Sequence, residues 1–368
     1  MKIAVDAREL VGFPRGVGRY LQGVLAVWRR DRSFAHEVVL VVPEGQVDGA
    51  GLDPGGFAVA VTGHGWLRSG TWWEQAVLPG ALKRLGADVV FCPGYTLPLL
   101  TRVPAVVVIH DLSFADHREW FSPREGLRRR LLTRLGASRA RRILVVSRFV
   151  AGRLNELYGV GDERVRVAPL GVSGRFLPRP AGEVQGLARR LGLAGDIVLA
   201  VGTVLERRHP DVLIAAFARV ARDFPAAFLV MVGDDRRLGG PSLATLAEQH
   251  GIAARVKHLA YVAEGDLPAL YSLARAAVYL SSYEGFGLPP IEALACGTPV
   301  VASRVPSLVE SDIDGAVLVD ETSAEDVARA LAVILARAPG LRLAPAWTAR
   351  HGWDETAAAA LRAIEEAG

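Results

Sequence analysis

The chain has 368 residues, 51% of them hydrophobic and 22% charged, and 43 basic against 39 acidic side chains leave a formal charge of +4. At roughly 100 to 200 residues per domain, that length suggests two domains, each able to bury its own core, and excludes a disordered or fibrous chain. So even a charge balance gives no ground for a nucleic-acid partner, and Cys92 and Cys296, far apart in apolar surroundings, give none for a disulfide framework or a zinc site.

The first residues, Met1-Lys2-Ile3-Ala4-Val5-Asp6, meet an acid too soon for a secretory apolar region. No apolar run approaches the roughly 18 residues of a spanning helix. The expectation is a cytoplasmic protein, soluble or at most peripheral on the inner face of a membrane. Short Val-, Ile- and Leu-rich runs then alternate with longer helical patterns: Ile3 to Val5, Val38 to Val42, Val89 to Phe91, Ala105 to Ile109, Ile143 to Val146 and Val165 to Ala168. Continuous rather than alternating apolar runs are what strands buried on both faces look like, and the helical spacers supply the crossovers of a parallel sheet. Gly171, Gly174, Pro178 and Pro180 break the pattern near residues 169–180, and the rhythm restarts with Ile197 to Val201, Phe228 to Val232, Val256 to Leu259, Val278 to Leu280, Val300 to Ala302 and Val317 to Val319. This predicts two doubly wound α/β domains, 1–173 and 174–353, whose strands offer their carboxyl ends to ligands. A final helical pattern covers 354–368.

Four places carry residues suited to chemistry. Pro14-Arg15-Gly16-Val17-Gly18-Arg19-Tyr20 follows the first strand, where glycines allow a tight turn and the free N–H groups of the next helix suit an anion. The dinucleotide spacing G-x-G-x-x-G is absent because position 21 is leucine, which disfavours a nicotinamide enzyme. His110-Asp111 ends the apolar strand Ala105 to Ile109, so the pair belongs at a ligand-facing strand end, whereas His64 and His117 lack such placement. Arg207-Arg208 follows Gly202-Thr203 at the end of the first strand of the second half; two planar guanidiniums there match the oxygens of a diphosphate.

The densest signal is Ser281-Ser282-Tyr283-Glu284-Gly285-Phe286-Gly287-Leu288-Pro289-Pro290-Ile291-Glu292, continuing to Gly297. A strand, a glycine-rich turn and a helix opened by proline place backbone N–H groups and a positive helix end beside a ligand. Glu284 and Glu292, eight apart, suit different hydroxyls of a sugar or ribose. Asp312-Ile313-Asp314 before Gly315 reads as a turn rather than a metal motif.

Taken together these residues resemble glycosyltransferase family 4, the retaining nucleotide-sugar enzymes of the GT-B architecture. The stretch Glu284 to Val301 is similar to that family's E-x7-E motif. The likeness extends to the Gly16 loop, Trp73-Glu74-Gln75, Pro93-Gly94-Tyr95, His110-Asp111-Leu112, Val146-Ser147, Pro169-Leu170-Gly171 and Val201-Gly202-Thr203, nearly the whole chain. The resemblance implies two Rossmann-like domains facing a central cleft, an acceptor held by the first and a nucleotide-diphospho-sugar by the second, with the 354–368 helix crossing back to the first. It implies His110, Arg207, Arg208 and Glu284 as catalytic residues. Gly16, Gly18, Gly202, Thr203, Gly285, Phe286, Gly287, Leu288 and Glu292 would bind the donor, and Arg19, Tyr95 and Asp111 would lie on the acceptor side. No cofactor and no metal is implied: guanidiniums and a helix end would stabilise the leaving diphosphate, which in that family helps deprotonate the acceptor. Thr203 stands where many members carry arginine. The nearest likeness is to mannosyltransferase-like members of polysaccharide and lipopolysaccharide assembly, which makes GDP-mannose the first expected donor and UDP-glucose the next, with a glycan or lipid-linked acceptor. A nucleotide-sugar epimerase or a non-catalytic nucleotide- or glycan-binding protein would share the fold.

One feature is independent of the family. Arg124 to Arg142 holds eight arginines and one glutamate, a net +7 that leaves the rest of the chain at −3. With Leu127, Leu131 and Leu135 at helical spacing, the segment suits either an anionic membrane surface or an ordinary packed helix.

Overall fold

A computed structural model describes residues 1–12, 16–44, 54–63, 70–311, 313, 315–337 and 351–368. The chain divides into two compact units, Met1–Gly171 with Gly352–Gly368, and Val172–His351. In the first unit the strands are β1 (Lys2–Asp6), β2 (Glu37–Pro43), β3 (Ala58–Thr62), β4 (Val89–Cys92), β5 (Ala105–Ile109), β6 (Arg142–Val145) and β7 (Val165–Val167). They form one parallel sheet in the order β3-β2-β1-β4-β5-β6-β7. The second unit holds β8 (Asp196–Val201), β9 (Ala227–Val232), β10 (Val256–Leu259), β11 (Ala276–Tyr279), β12 (Val300–Ser303) and β13 (Ala316–Val319). These too are parallel, in the order β10-β9-β8-β11-β12-β13.

Both sheets are doubly wound, as the alternating pattern predicts. β4 and β5 are buried along their whole length, as are β11 and β12, because helices cover both faces. The sequence reading omits β3, an edge strand whose Ala-Val-Ala-Val-Thr side chains stay largely exposed and so lack the continuous apolar signature of a buried strand. The chain order reverses between β1 and β4 in one sheet and between β8 and β11 in the other. Open α/β sheets bind ligands outside the carboxyl ends at such switch points, where diverging connections leave a crevice.

The last helix, Trp353–Glu365, belongs to the first unit and packs on the helix Gly16–Arg30. Its small face, Ala357, Ala360 and Ala363, is buried. Trp28 Nε1 donates to the Ala357 carbonyl at 3.2 Å, and Gly23 leaves room for the Trp353 ring, which a Cβ there would strike. Cys92 and Cys296 are buried free thiols, one in each unit. No helix among the described residues is long and apolar enough to cross a membrane.

Candidate functional site

In the second unit the switch point gathers the basic pair and the first glutamate. β8 ends at Val201, and Gly202 follows with a left-handed φ of 130°. A side chain at 202 would run into the Arg208 guanidinium, so glycine is what lets Arg208 lie there. Arg208 Nη2 donates to the Tyr279 hydroxyl at 2.9 Å, with its guanidinium carbon 4.9 Å from the centre of the Tyr279 ring. Arg207 Nη1 donates to Glu284 Oε1 at 3.1 Å and also to the Tyr283 carbonyl, while Arg208 Nη2 approaches the same carboxylate oxygen at 3.4 Å. Burial alone would raise the Glu284 carboxyl, but Arg207 and then Arg208 outweigh it and hold Glu284 below its ordinary range. Glu284 is therefore an internal anion clamped by two cations. Arg208 Nε is buried and has no hydrogen-bond partner among the described residues, a polar group whose satisfaction the described residues do not supply.

Gly287, at φ 99°, caps the helix Leu288–Ala295; a Cβ on it would strike Leu308. Pro289 and Pro290 fill the first turn, where a missing N–H costs nothing. Glu292 projects from this helix, almost fully buried, and accepts from the Tyr271 hydroxyl at 3.2 Å. Gly285 and Phe286 complete the buried turn, and Thr203 lies part-buried beside Gly202.

His209 is a residue that sequence reasoning passed over. It is one of two described non-glycine residues with positive φ, at 46°, and it links the basic pair to the helix Pro210–Asp223. Its Nε2 lies 2.5 Å from Ser282 Oγ, and the Ser282 N–H donates to the Arg207 carbonyl at 2.9 Å. The arginine turn and the glutamate turn are thus tied at two points.

In the first unit Gly16 and Gly18 lie in the first turn of the helix Gly16–Arg30, and the left-handed turn before it is at Gly12, φ 83°. Beside Gly16 a Cβ would meet only open space, and the link between Gly12 and Gly16 lies outside the described residues. His110 follows β5, and its Nε2–H donates to the Pro93 carbonyl at 2.7 Å. Burial pushes the imidazole below its usual range against the pull of that carbonyl and of Asp111, so the ring is held neutral. Tyr20 meets it edge-on at 5.1 Å and Tyr95 lies 5.5 Å away. Tyr95, the second positive-φ residue at 61°, donates from its hydroxyl to Asp111 Oδ2 at 2.9 Å. Asp111 Oδ1 accepts from the Ser113 N–H and hydroxyl at 3.0 and 2.6 Å, so much of this carboxylate serves to fix the local turn. Arg19 is part-buried on the same helix as Gly18.

A second group, which sequence reasoning did not assemble although the family likeness includes Glu74, lies at the β1 and β4 switch point. Asp6 ends β1, and Arg8 reaches it at 3.0 Å and Glu74 at 2.6 Å, while Arg8 Nη1 donates to the Gly70 carbonyl at 2.7 Å. Glu74 sits in a wide π turn, Trp73–Val77, and also accepts from the Thr96 hydroxyl at 2.6 Å. Arg8, Glu74, Tyr95 and Thr96 line a cavity of about 420 Å³ together with Arg128 and Leu132 of the helix Pro123–Arg139. Guanidinium, carboxylate, phenol and hydroxyl groups around one cavity suit a polyhydroxylated ligand. The strand-end criterion that selects His110 selects Asp6 equally. Among the described residues no set of three His, Cys, Asp or Glu side chains gathers as for a metal. Asp312, Asp314 and His64, with Pro14 and Arg15 of the first glycine loop, lie outside the described residues.

Comparison with known proteins agrees along the chain. Residues 14–173 match the profile of Glycosyltransferase Family 4 and residues 191–349 that of Glycosyl transferases group 1. A D-inositol 3-phosphate glycosyltransferase of Actinosynnema mirum is 33% identical over 337 residues, covering 86% of this chain and 74% of that protein. The chain belongs to this glycosyltransferase family. The O-antigen chain mannosyltransferase B of Escherichia coli is 30% identical over 227 residues, 61% of this chain, and the match spans only 59% of that relative's length. The crystal structure of Anabaena HepE in complex with UDP and glucose superimposes with a TM-score of 0.71 over 99% of this chain and 95% of the other, at 20% identity. The shared fold is GT-B, two Rossmann-like domains in one polypeptide.

Proposed function

We propose that this chain is a retaining hexosyltransferase of the cytoplasm that moves a hexose, mannose from GDP-mannose before other sugars, from a nucleotide-diphospho-sugar to a glycan or lipid-linked acceptor in cell-envelope polysaccharide assembly. The observation that carries the reading is the Arg207, Arg208 and Glu284 cluster at the β8 and β11 switch point, two guanidiniums converging on one buried carboxylate. In this reading the unit Val172–His351 holds the donor: Gly202, Thr203, Gly285, Phe286, Gly287 and Leu288 let the backbone approach it, and Glu292 takes the ribose. The first unit supplies His110 to catalysis, Gly16 and Gly18 to the donor, and Arg19, Tyr95 and Asp111 to the acceptor. The likeness to the O-antigen mannosyltransferase supports mannose as the sugar.

The chemistry follows from charge. Breaking the bond between the anomeric carbon and the diphosphate oxygen builds negative charge on the leaving group and positive character on the sugar. Donors placed where that charge develops lower the barrier more than donors that bind only the ground state. Two guanidiniums and the N-terminus of the helix Leu288–Ala295 supply such donors without a metal. A diphosphate that takes over Arg207 and Arg208 also releases Glu284 to accept from a sugar hydroxyl, coupling donor capture to sugar orientation.

Thermal unfolding of the full chain with EDTA present, against GDP-mannose, UDP-glucose and other nucleotide-sugars, tests this. Because a ligand that binds only the folded state raises the melting point, GDP-mannose is expected to give the largest rise. Absence of any rise across the panel would overturn the reading, and a new nucleotide-sugar formed without acceptor would favour an epimerase. His209→Gly keeps the left-handed turn accessible and deletes the ring contact with Ser282, so it is expected to weaken donor binding about 2- to 12-fold by calorimetric titration, the range of one net hydrogen bond.

A further inference from the structure

The helix Pro123–Arg139 buries its small residues Gly126, Thr133, Gly136 and Ala137 and turns its larger apolar ones outward. Leu127, Leu131 and Leu135 are 61%, 53% and 38% exposed. At four-residue spacing they share one face. A helix that used these leucines for ordinary packing would bury them. Leu100 is 76% exposed, and the carbonyl of its neighbour Leu99 accepts from Arg139 at the end of the same helix. At roughly 100° per residue, Arg124 falls within the leucine stripe while Arg128 and Arg134 border it on either side. Of the eight arginines from Arg124 to Arg142, only Arg129 and Arg142 pair with a carboxylate among the described residues, with Glu125 and Glu366.

We propose that this face is a docking surface for an anionic phospholipid bilayer, with the leucines entering the boundary between headgroups and acyl chains and the guanidiniums of Arg124 and Arg134, which pair with no carboxylate among the described residues, meeting lipid phosphates. A second copy of the chain fits poorly, because a two-fold interface would set the same cationic stripe against itself. Nucleic acid fits poorly because the centre of the stripe is aliphatic. The docking also gives the acceptor a route: Arg128, Arg129 and Leu132 of this helix line the 420 Å³ cavity with Glu74, Tyr95 and Thr96, so a lipid-linked acceptor can keep its tail in the bilayer and reach the cavity with its polar end. That route rests on the function proposed above; the docking does not.

Sedimentation of the full chain with vesicles tests it, using phosphatidylcholine alone or with phosphatidylglycerol, at about 50 mM and about 500 mM salt, where screening lengths differ several-fold. Binding is expected with the anionic vesicles at low salt and should fall at high salt. Arg124→Gln and Arg134→Gln should each weaken it about fivefold. The triple variant Leu127→Ser, Leu131→Ser, Leu135→Ser should abolish it while keeping the wild-type melting point and the wild-type melting-point rise with nucleotide-sugar. No sedimentation of the wild type at low salt, or unchanged sedimentation of the triple variant, would overturn the proposal. So would a lipid-free dimer that the triple variant loses, or nucleic-acid binding in place of vesicle binding. If vesicles bind and nucleotide-sugars do not, the proposed activity fails and the docking surface stands; the converse separates them equally.

Discussion

Arg208→Ala and Glu284→Ala are each expected to lower kcat/KM for sugar transfer by about 10²-fold or more, the scale seen when one charge-stabilising group is removed from a preorganised site. The two losses have different origins. Arg208 is held by the Tyr279 hydroxyl and ring and by Glu284, so its guanidinium is positioned before any donor arrives. Replacing it removes donors that strengthen as the leaving diphosphate gains charge. Arg208→Lys should recover only part of the rate, since an ammonium cannot reproduce the planar fork. Removing Glu284 leaves Arg207 and Arg208 without their internal anion, so nucleoside diphosphate should bind no more weakly than to wild type while turnover collapses. Initial-rate kinetics beside titration with GDP separate the two patterns, and a wild-type transfer rate in either variant would contradict the site.

Much of this was legible in the chain because burial on both faces writes itself as unbroken Val and Ile runs. β5, Ala105–Ile109, is the plainest case, and β3 escaped because Val59 and Val61 lie on an exposed edge. The basic pair and Glu284 stood out because each closely follows a strand end, and Glu292 because it lies eight positions further on, in a helix opened by glycine and proline. What stayed hidden depends on backbone conformation or on distant partners. Nothing in Arg207-Arg208-His209-Pro210 announces a left-handed histidine. Arg8 and Glu74 lie 66 positions apart and meet only once the sheet is folded. The stripe of Leu127, Leu131 and Leu135 has the spacing of a packing face, and only the small residues opposite, which the unit buries instead, decide that it faces outward.

Arg8→Met is expected to cost about 3–5 kcal/mol of stability near pH 8, the range for breaking a buried ion cluster by removing one partner. Burial alone would depress the Arg8 guanidinium, but Asp6 and then Glu74 hold it above its ordinary range, so the side chain keeps its charge between two carboxylates. Burial pushes Asp6 up to about 6, with Arg8 pulling it down and Glu74 pushing it up. A carboxyl raised above its unfolded value of 3.8 favours the fold most below that pH and loses this contribution as pH rises through about 6. Without Arg8 the two acids face each other uncompensated, Asp6 rises further, and the loss extends to higher pH. The variant should therefore be less destabilised near pH 5 than near pH 8, as measured by urea unfolding at both. Equal destabilisation at the two values would mean that the three charges do not act together. Adding Asp6→Asn and Glu74→Gln to Arg8→Met should restore part of the stability at pH 8 and flatten its pH dependence, because the methionine then no longer leaves two like charges buried side by side.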